Sequence, residues 1–432
     1  MKVAIVGGGL AGLAAGVTLA AAGYEVELFE RSRLLGGRAT SFEIGGVEVD
    51  NGQHVFLGCC TEFIAFVNRV GLGDKLYLQD RFDALVVARD GRSAHLRAAR
   101  LPAPFHLLAS FLRFNLLSVW AKIDIARALL AASRERDVFE PTFAQWLKRL
   151  RQGKEAIRVF WRPFFVPALN EPLETMDARE ALFTLRTAFL NYPGAERFGY
   201  STVPLAHIAE AAAKRFAHVH RATSVASIDD DAKALTTTAG ERREFDAIIL
   251  ALTPKQLLSL VEDPSRFGIA PLDSYTPHSI LDVHLRVDEG SKLVILSLSK
   301  DSLSKDDPTL TFAALIDSPI QWIFRKGEGY YVCSMSAADE YLRESTDDLI
   351  QLAWRELQTA LPQLRDATLE HGAVTRNPEA TFSAPRETVR PGPETALPNL
   401  AIAGAWTATG WPDTMESAVR SGITAARRIM TS

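Results

Sequence analysis

Lys2-Val3-Ala4-Ile5-Val6-Gly7-Gly8-Gly9-Leu10-Ala11-Gly12 opens a stretch that runs through an alanine-rich segment to Tyr24-Glu25-Val26-Glu27-Leu28-Phe29-Glu30. Residues 3–6 are wholly apolar, as in a parallel strand buried on both faces. Gly7, Gly9 and Gly12 follow at the spacing that serves a tight turn, a close backbone approach to a pyrophosphate, and intimate packing of helix on strand. Residues 10–22 then read as a helix stopped by Gly23. Its first amides, at Leu10 and Ala11, and the positive end of its dipole face the phosphates. Residues 24–29 make a second strand closed by Glu30, placed where a carboxylate takes hydrogen bonds from ribose hydroxyls. A lone glycine triplet of this kind is common. Strand, glycines, helix, strand and terminal acid in order within about 30 residues specify a dinucleotide-binding unit.

The next residues say which nucleotide. Glu30-Arg31-Ser32-Arg33-Leu34-Leu35-Gly36-Gly37-Arg38 resembles the E-x-x-x-x-x-G-G-R extension of FAD enzymes related to amine oxidases and phytoene desaturases. The resemblance implies FAD, with Arg31 beside the acid, Gly37 letting backbone pass close to the cofactor, and Arg38 pairing with phosphate oxygens. The other end of the chain matches: residues 399–404 read as a strand ending in glycine and 414–428 as a helix. In the families named, this strand and helix N-terminus, here Gly404, Ala405 and Met415, cover the ribityl chain and flavin ring. Ala405 stands where the resemblance leads one to expect an aspartate, and Glu416 lies a short distance further on. Between the ends, residues 206–216 look helical and 222–228, 234–238 and 247–250 look like strands; this resembles the returning part of the same flavin domain, and the resemblance implies that Val225 offers its backbone to adenine.

The fold class expected is therefore α/β: a Rossmann-like FAD-binding domain of the two-dinucleotide-fold type, discontinuous over residues 1–90, 200–265 and 390–432. Residues 91–199 form a mainly helical substrate- or membrane-facing subdomain, and 266–389 a mixed-sheet substrate domain with strands at 279–287, 311–315, 321–324 and 330–334. Residues 105–120 read as one apolar helix, too short to span a bilayer and carrying Arg113. A helix lining an apolar pocket and a helix dipping into one leaflet both fit it. Residues 297–301 are repeated as 302–306, a polar, low-complexity insertion expected in a surface loop.

Composition narrows the classes. Acidic and basic side chains nearly cancel, 52 against 48, so no global field favours nucleic acid. Cys59, Cys60 and Cys333 form no C-x-x-C pair, and with no cysteine after Cys333 the FAD is expected to be noncovalent. The nine histidines show no metal-ligand spacing, with His218 and His220 placed at a helix end or loop. No G-x-S-x-G elbow supports a serine hydrolase. The chain starts directly on a strand, so a cytoplasmic protein is expected, meeting the membrane at its inner face if at all.

Asp50-Asn51-Gly52-Gln53-His54, Phe160-Trp161-Arg162-Pro163 through Ala168-Leu169-Asn170-Glu171-Pro172, and Trp406 through Thr409-Gly410 and Thr414-Met415-Glu416 to Gly422 together resemble hydroxysqualene dehydroxylases, also called squalene-associated FAD-dependent desaturases. The resemblance covers most of the chain and implies a long isoprenoid substrate, reductive loss of a hydroxyl, and membrane access. It also brings the loop of Gln53 and His54 near the ring system, with His54 as a candidate proton donor or as a brace that hydrogen-bonds the loop, and Asp50 orienting it or ending the strand. No second glycine-rich fingerprint marks a nicotinamide site, so the electron donor is unidentified. Rival readings are a carotenoid desaturase, a flavin amine oxidase, and a lipid-binding escort similar to the Rab GDP-dissociation inhibitors.

Overall fold

In the computed structural model, which describes residues 1–44, 47–261, 263–289, 312–327 and 329–431, stretches far apart in sequence meet in one parallel sheet. Its strand order is His218–His220, Glu25–Phe29, Lys2–Val6, Ala247–Leu250, Leu400–Ile402. Ile5 lies opposite Leu28 on one side and Ile249 on the other. Strand alternation divides these residues between two cores. Val3, Ile5, Val26 and Leu28 pack against the helices Leu10–Ala21, Leu205–Ala213 and Met415–Met430. Ala4, Val6, Ile248 and Leu250 pack on the other side, with residues of the antiparallel ribbon 225–244 and of helix Pro254–Leu260. The edge strand corrects one expectation: His218 and His220 are strand residues. The His220 ring stacks on Phe29 at 4.6 Å, and its Nε2 lies 2.9 Å from Glu27.

A second sheet has the order Thr368–Ser383, Thr276–Asp288, Tyr330–Ser336, Trp322–Gly327, Phe312–Leu315, Asp83–Val87, Ser93–Arg97. All its pairs are antiparallel except Phe312–Leu315 with Asp83–Val87, so the sheet is mixed. Residues 83–87, assigned from sequence to the cofactor unit, and 93–97, assigned to the helical subdomain, thus supply strands to this sheet. One face buries Leu281, Val283, Leu285 and Cys333 against helix Thr346–Ala360. The opposite face presents Phe312, Trp322, Phe324 and Val332 to the helical segment 105–190. The repeat at 297–306 lies outside the described residues.

The segment 105–120 is not one helix. A helix Leu108–Arg113 ends at Phe114, and Val119–Arg134 starts a new one capped by Ser118, whose Oγ accepts from the Ala121 amide at 3.2 Å. Residues 112, 116 and 119 would share one face of a continuous helix. Leu112 and Val119 are exposed whereas Leu116 is buried, and the break reconciles them.

Helix packs on helix in the cofactor unit with no room for a side chain. A Cβ built on Gly422, in the terminal helix, would lie 2.0 Å from the Ala11 carbonyl oxygen and 2.9 Å from the Ala15 amide. Both obstacles are backbone, so neither can swing aside. Gly422→Val is expected to destabilise the protein by about 1–3 kcal/mol or more, as overpacked cores do. The check is thermal unfolding followed by circular dichroism, where an unchanged melting temperature would refute the contact.

Candidate functional site: a dinucleotide cleft opening into an apolar chamber

A single cavity of about 920 Å³ runs from the ends of the parallel strands to the second sheet. Gly7, Gly9, Leu10, Ala11, Glu30, Arg31, Gly37, Arg38, Val225, Gly404, Ala405 and Met415 all line it, as do Gln53 and His54. The glycine turn leaves room for a ligand at one position. A Cβ on Gly9 would meet nothing nearer than the Gly37 Cα at 4.0 Å, whereas one on Gly12 would collide with the Gly7 carbonyl oxygen at 2.0 Å. Gly12 therefore serves helix packing and lies behind the cavity. Gly9 borders open space at the N-terminus of helix Leu10–Ala21, where backbone amides face an anion.

The charged residues around the cleft are held firmly. Glu30 accepts from the Gly8 amide (2.7 Å) and the Ser32 amide (2.8 Å), which fixes the carboxylate beside the glycine turn. Arg38, expected on phosphate oxygens, spans the cleft: it donates to both oxygens of Asp413 (3.1 and 3.2 Å) and to the Ala380 carbonyl (2.7 Å). Asp413 is buried and also accepts from the Phe382 amide at 2.9 Å. Sequence reasoning missed it, although Trp411-Pro412-Asp413 directly precedes Thr414, the cap of the terminal helix. Glu416 does not replace the aspartate absent at 405. Its carboxylate accepts from the Glu62 and Phe63 amides (3.1 and 2.8 Å) and from Arg420, capping helix Thr61–Arg69. Ala405 is buried, and its carbonyl accepts from the Ser417 hydroxyl at 2.7 Å.

At the inner end the Gly52–Gln53–His54 loop meets the second sheet. Asp50 accepts from the Ser41 hydroxyl (2.7 Å) and the Leu205 amide (3.0 Å), and pairs with Lys326 at 2.8 Å. Burial acts to raise its carboxyl, but Lys326 and these donors outweigh that and hold it below the usual range. Asp50 thus ends its strand and ties the two units together. His54 Nδ1 lies 3.0 Å from the Gly52 carbonyl. A carbonyl only accepts, so Nδ1 carries the proton and Nε2 is left with a lone pair. Burial lowers the His54 pKa, which keeps the ring neutral with its proton directed into the loop.

The sheet wall of the chamber carries residues that the sequence reading did not single out. Thr375, Asp282, Ser334 and Trp322 stand in one cross-strand row. The signal was present as alternation: in Ile280-Leu281-Asp282-Val283-His284 the polar residues fall on alternate positions, the face opposite the helix-packed one. The Ala-Leu-Asn-x-Pro stretch is explained by Asn170. This residue takes a left-handed conformation (φ 54°) at the end of helix Arg162–Leu169; its amide donates to Thr381 Oγ1 and the His278 carbonyl and accepts from the Ala337 amide. Helical segment and sheet are locked there. Burial pushes the neighbouring Glu171 up to about 7.

Sheet order, glycine turn and cavity define a flavoprotein of the two-dinucleotide-fold class, an FAD-dependent oxidoreductase. The chain belongs to the flavin containing amine oxidoreductase family, whose model matches residues 10–430. Among curated relatives it is 26% identical to zeta-carotene desaturase from Synechocystis sp. (100% of this chain, 97% of the relative). It is equally 26% identical to hydroxysqualene dehydroxylase from Zymomonas mobilis (98% of this chain, 97% of the relative). Among solved structures it is similar to a triple mutant of putrescine oxidase, with TM-score 0.75 at 17% identity over 100% of this chain and 98% of that one. An oxidoreductase from Methanosarcina mazei gives TM-score 0.71 at 16% identity, with both chains fully covered.

Gly9→Val is expected to fold with a near-parental melting temperature of the apoprotein yet to purify colourless, whereas Gly12→Val loses stability as well. Flavin absorbance and apoprotein melting separate the two; a yellow Gly9→Val protein would displace the phosphate site. Glu171 gives a second test. Its folded pKa is raised, so its contribution is fully present below the unfolded value near 4.5 and is lost as pH rises through about 7. Glu171→Gln should therefore melt higher than the parent above pH 7, and the difference should shrink as the pH falls.

Proposed function

We propose that this protein reductively removes the hydroxyl of a long isoprenoid alcohol, converting hydroxysqualene to squalene. The observation that carries the reading is the chamber beyond the cofactor cleft, walled by Phe312, Trp322 and Phe324 and closed over by Phe164, Phe165, Phe189 and Phe198. An extended hydrocarbon is favourably transferred into such a lining, at roughly 25 cal/mol per Å² of apolar surface removed from water. The polar row Thr375–Asp282–Ser334 in this wall favours a substrate with an oxygen over a pure hydrocarbon such as a carotene. Bound FAD would supply hydride chemistry, and the chain supplies orientation, a dry chamber and protons. Gly9 and the first amides of helix Leu10–Ala21 would hold the pyrophosphate; Glu30 lies beside it, and Gly404 to Met415 line the opposite wall of the cleft.

The same reading accounts for an apolar surface. Leu101, Phe105, Leu108, Leu112, Val119, Trp120 and Ile123 are all exposed large side chains within one stretch of chain. From beneath them aromatic rings lead inward: Phe111 to Phe160 (6.1 Å), Phe160 to Phe164 (5.6 Å), Phe164 to Trp322 (5.9 Å). No helix among the described residues is long and apolar enough to cross a membrane. The surface suits an interfacial contact from which a lipid passes to the chamber without crossing water. A carotenoid desaturase would use the same chamber with electrons running from substrate to flavin.

The deciding experiment is anaerobic: photoreduce the holoprotein, add hydroxysqualene or a carotene in separate cuvettes, and follow flavin reoxidation. Reoxidation by hydroxysqualene alone supports the proposal. Flavin reduction when a carotene is added to the oxidised protein would replace it with the desaturase reading. Phe105→Asp/Trp120→Asp is expected to reduce cosedimentation with phospholipid vesicles about tenfold, with flavin content unchanged; parental cosedimentation would remove the membrane contact.

A further inference from the structure

We infer that Asp282 is the proton donor to the departing hydroxyl, a role that rests on the dehydroxylation reading above. Asp282 sits at the middle of strand Thr276–Asp288 on the chamber side, with Leu281 and Val283 on either side of it turned into the opposite core. Asp282 is 1% exposed, and its Oδ1 has no hydrogen-bond partner among the described residues. Oδ2 lies against the Gly52–Gln53 turn, so close that a Cβ on Gly52 would be 2.8 Å from it. A buried carboxyl with one oxygen anchored and the other unpaired is costly unless something pairs with it. A substrate oxygen in the chamber would do so. Trp322 and Phe324, both lining the chamber, supply the apolar surface for the hydrocarbon beside it.

The surroundings favour the acid form. Burial pushes the Asp282 carboxyl up to about 6, with Ser334, the Gln53 amide and Lys326 pulling the other way. Lys326 and Tyr330 from neighbouring strands and Cys333 from the opposite core interact with it, and Asp50, His54 and His284 gather around the same Lys326. Lys326 is already paired with Asp50, which limits how far it can stabilise a second carboxylate. His284 is kept neutral by burial, its pKa lowered to about 4. His54 spends its ring proton on Gly52, leaving Asp282 as the proton-bearing acid of the chamber wall.

The allylic C–O bond breaks as oxygen takes the Asp282 proton and leaves as water. The hydride that closes the carbon, two electrons and one hydrogen, would be supplied by reduced FAD held in the cleft. Asp282 is left as a carboxylate, to be reprotonated from solvent before the next turnover. A substrate losing hydrogen, as in desaturation, has no leaving oxygen and no need of this acid.

The test uses prereduced holoprotein, parent and Asp282→Asn, in single turnover with hydroxysqualene from below to above pH 6. The parent rate should fall as pH rises through about 6, because the donor is then ionised. Asp282→Asn, with parental flavin content, should be slower by about a hundredfold or more and lose that pH dependence. An Asp282→Asn rate within about threefold of an active parent overturns the acid assignment alone, whereas an inert parent overturns the dehydroxylation reading and the inference together. A second readout needs no turnover and no flavin. A long-chain isoprenoid tertiary amine, titrated by tryptophan quenching, should bind the parent more tightly above pH 6, where the ionised carboxylate pairs with the ammonium. Asp282→Asn should abolish that increase; pH-independent binding to the parent would show that no such carboxyl titrates into the chamber.

Discussion

Two backbone contacts with no space between them organise the cofactor unit. The helix Leu10–Ala21 lies against the strand end through Gly12, and the terminal helix lies against that helix through Gly422, each at a distance that excludes even a methyl group. Because the obstacles are carbonyl oxygens and amides, the fit cannot be relaxed by choosing another rotamer. The consequence is positional. The amides at the start of the first helix, the Gly9 gap and the N-terminus of the terminal helix converge on one cleft, from opposite ends of the sequence.

A second junction fixes the cleft relative to the chamber. Asp50 ends a strand of the cofactor unit, and Lys326 belongs to the second sheet; their pairing is buried and supplemented by the Ser41 hydroxyl and the Leu205 amide. A buried ion pair is weak evidence for stability, since desolvation offsets much of its attraction. Its use here is geometric: it sets the Gly52–Gln53–His54 loop against Asp282. Arg38 and Asp413 make a comparable clasp on the other side of the cleft, with Ala380 and Phe382 supplying backbone partners from the second sheet. The chamber wall is thus tied to the cleft at two separated points.

The relatives sharpen what varies. Zeta-carotene desaturase and hydroxysqualene dehydroxylase resemble this chain to the same extent, so overall similarity cannot choose the direction of electron flow. On the proposed reading the choice falls to a few residues in the chamber wall. An apolar chamber alone serves either reaction. A buried carboxyl with a free oxygen is useful only where a proton must be delivered or a polar group held.

Sequence alone determined the dinucleotide unit, because its signals are local. A strand, a glycine turn and a helix occupy consecutive residues, and residues 247–250, 400–402 and 415–430 carry their own strand or helix periods. The cofactor residues it named line one cavity, Gly12 excepted, and Gly12 packs directly behind. What only the tertiary structure decided is pairing between distant residues. Arg38 reaches Asp413, Asp50 reaches Lys326, and Glu416 caps a helix more than three hundred residues earlier. No spacing along the chain encodes such partners. The break at Phe114 and the transfer of residues 83–97 to the second sheet depended likewise on where Leu116 and Leu85 could be buried. Asp282 shows the limit most clearly: its alternation was legible as half of a strand pattern, but its neighbours, and hence its proton, were set by the loop and strands folded against it.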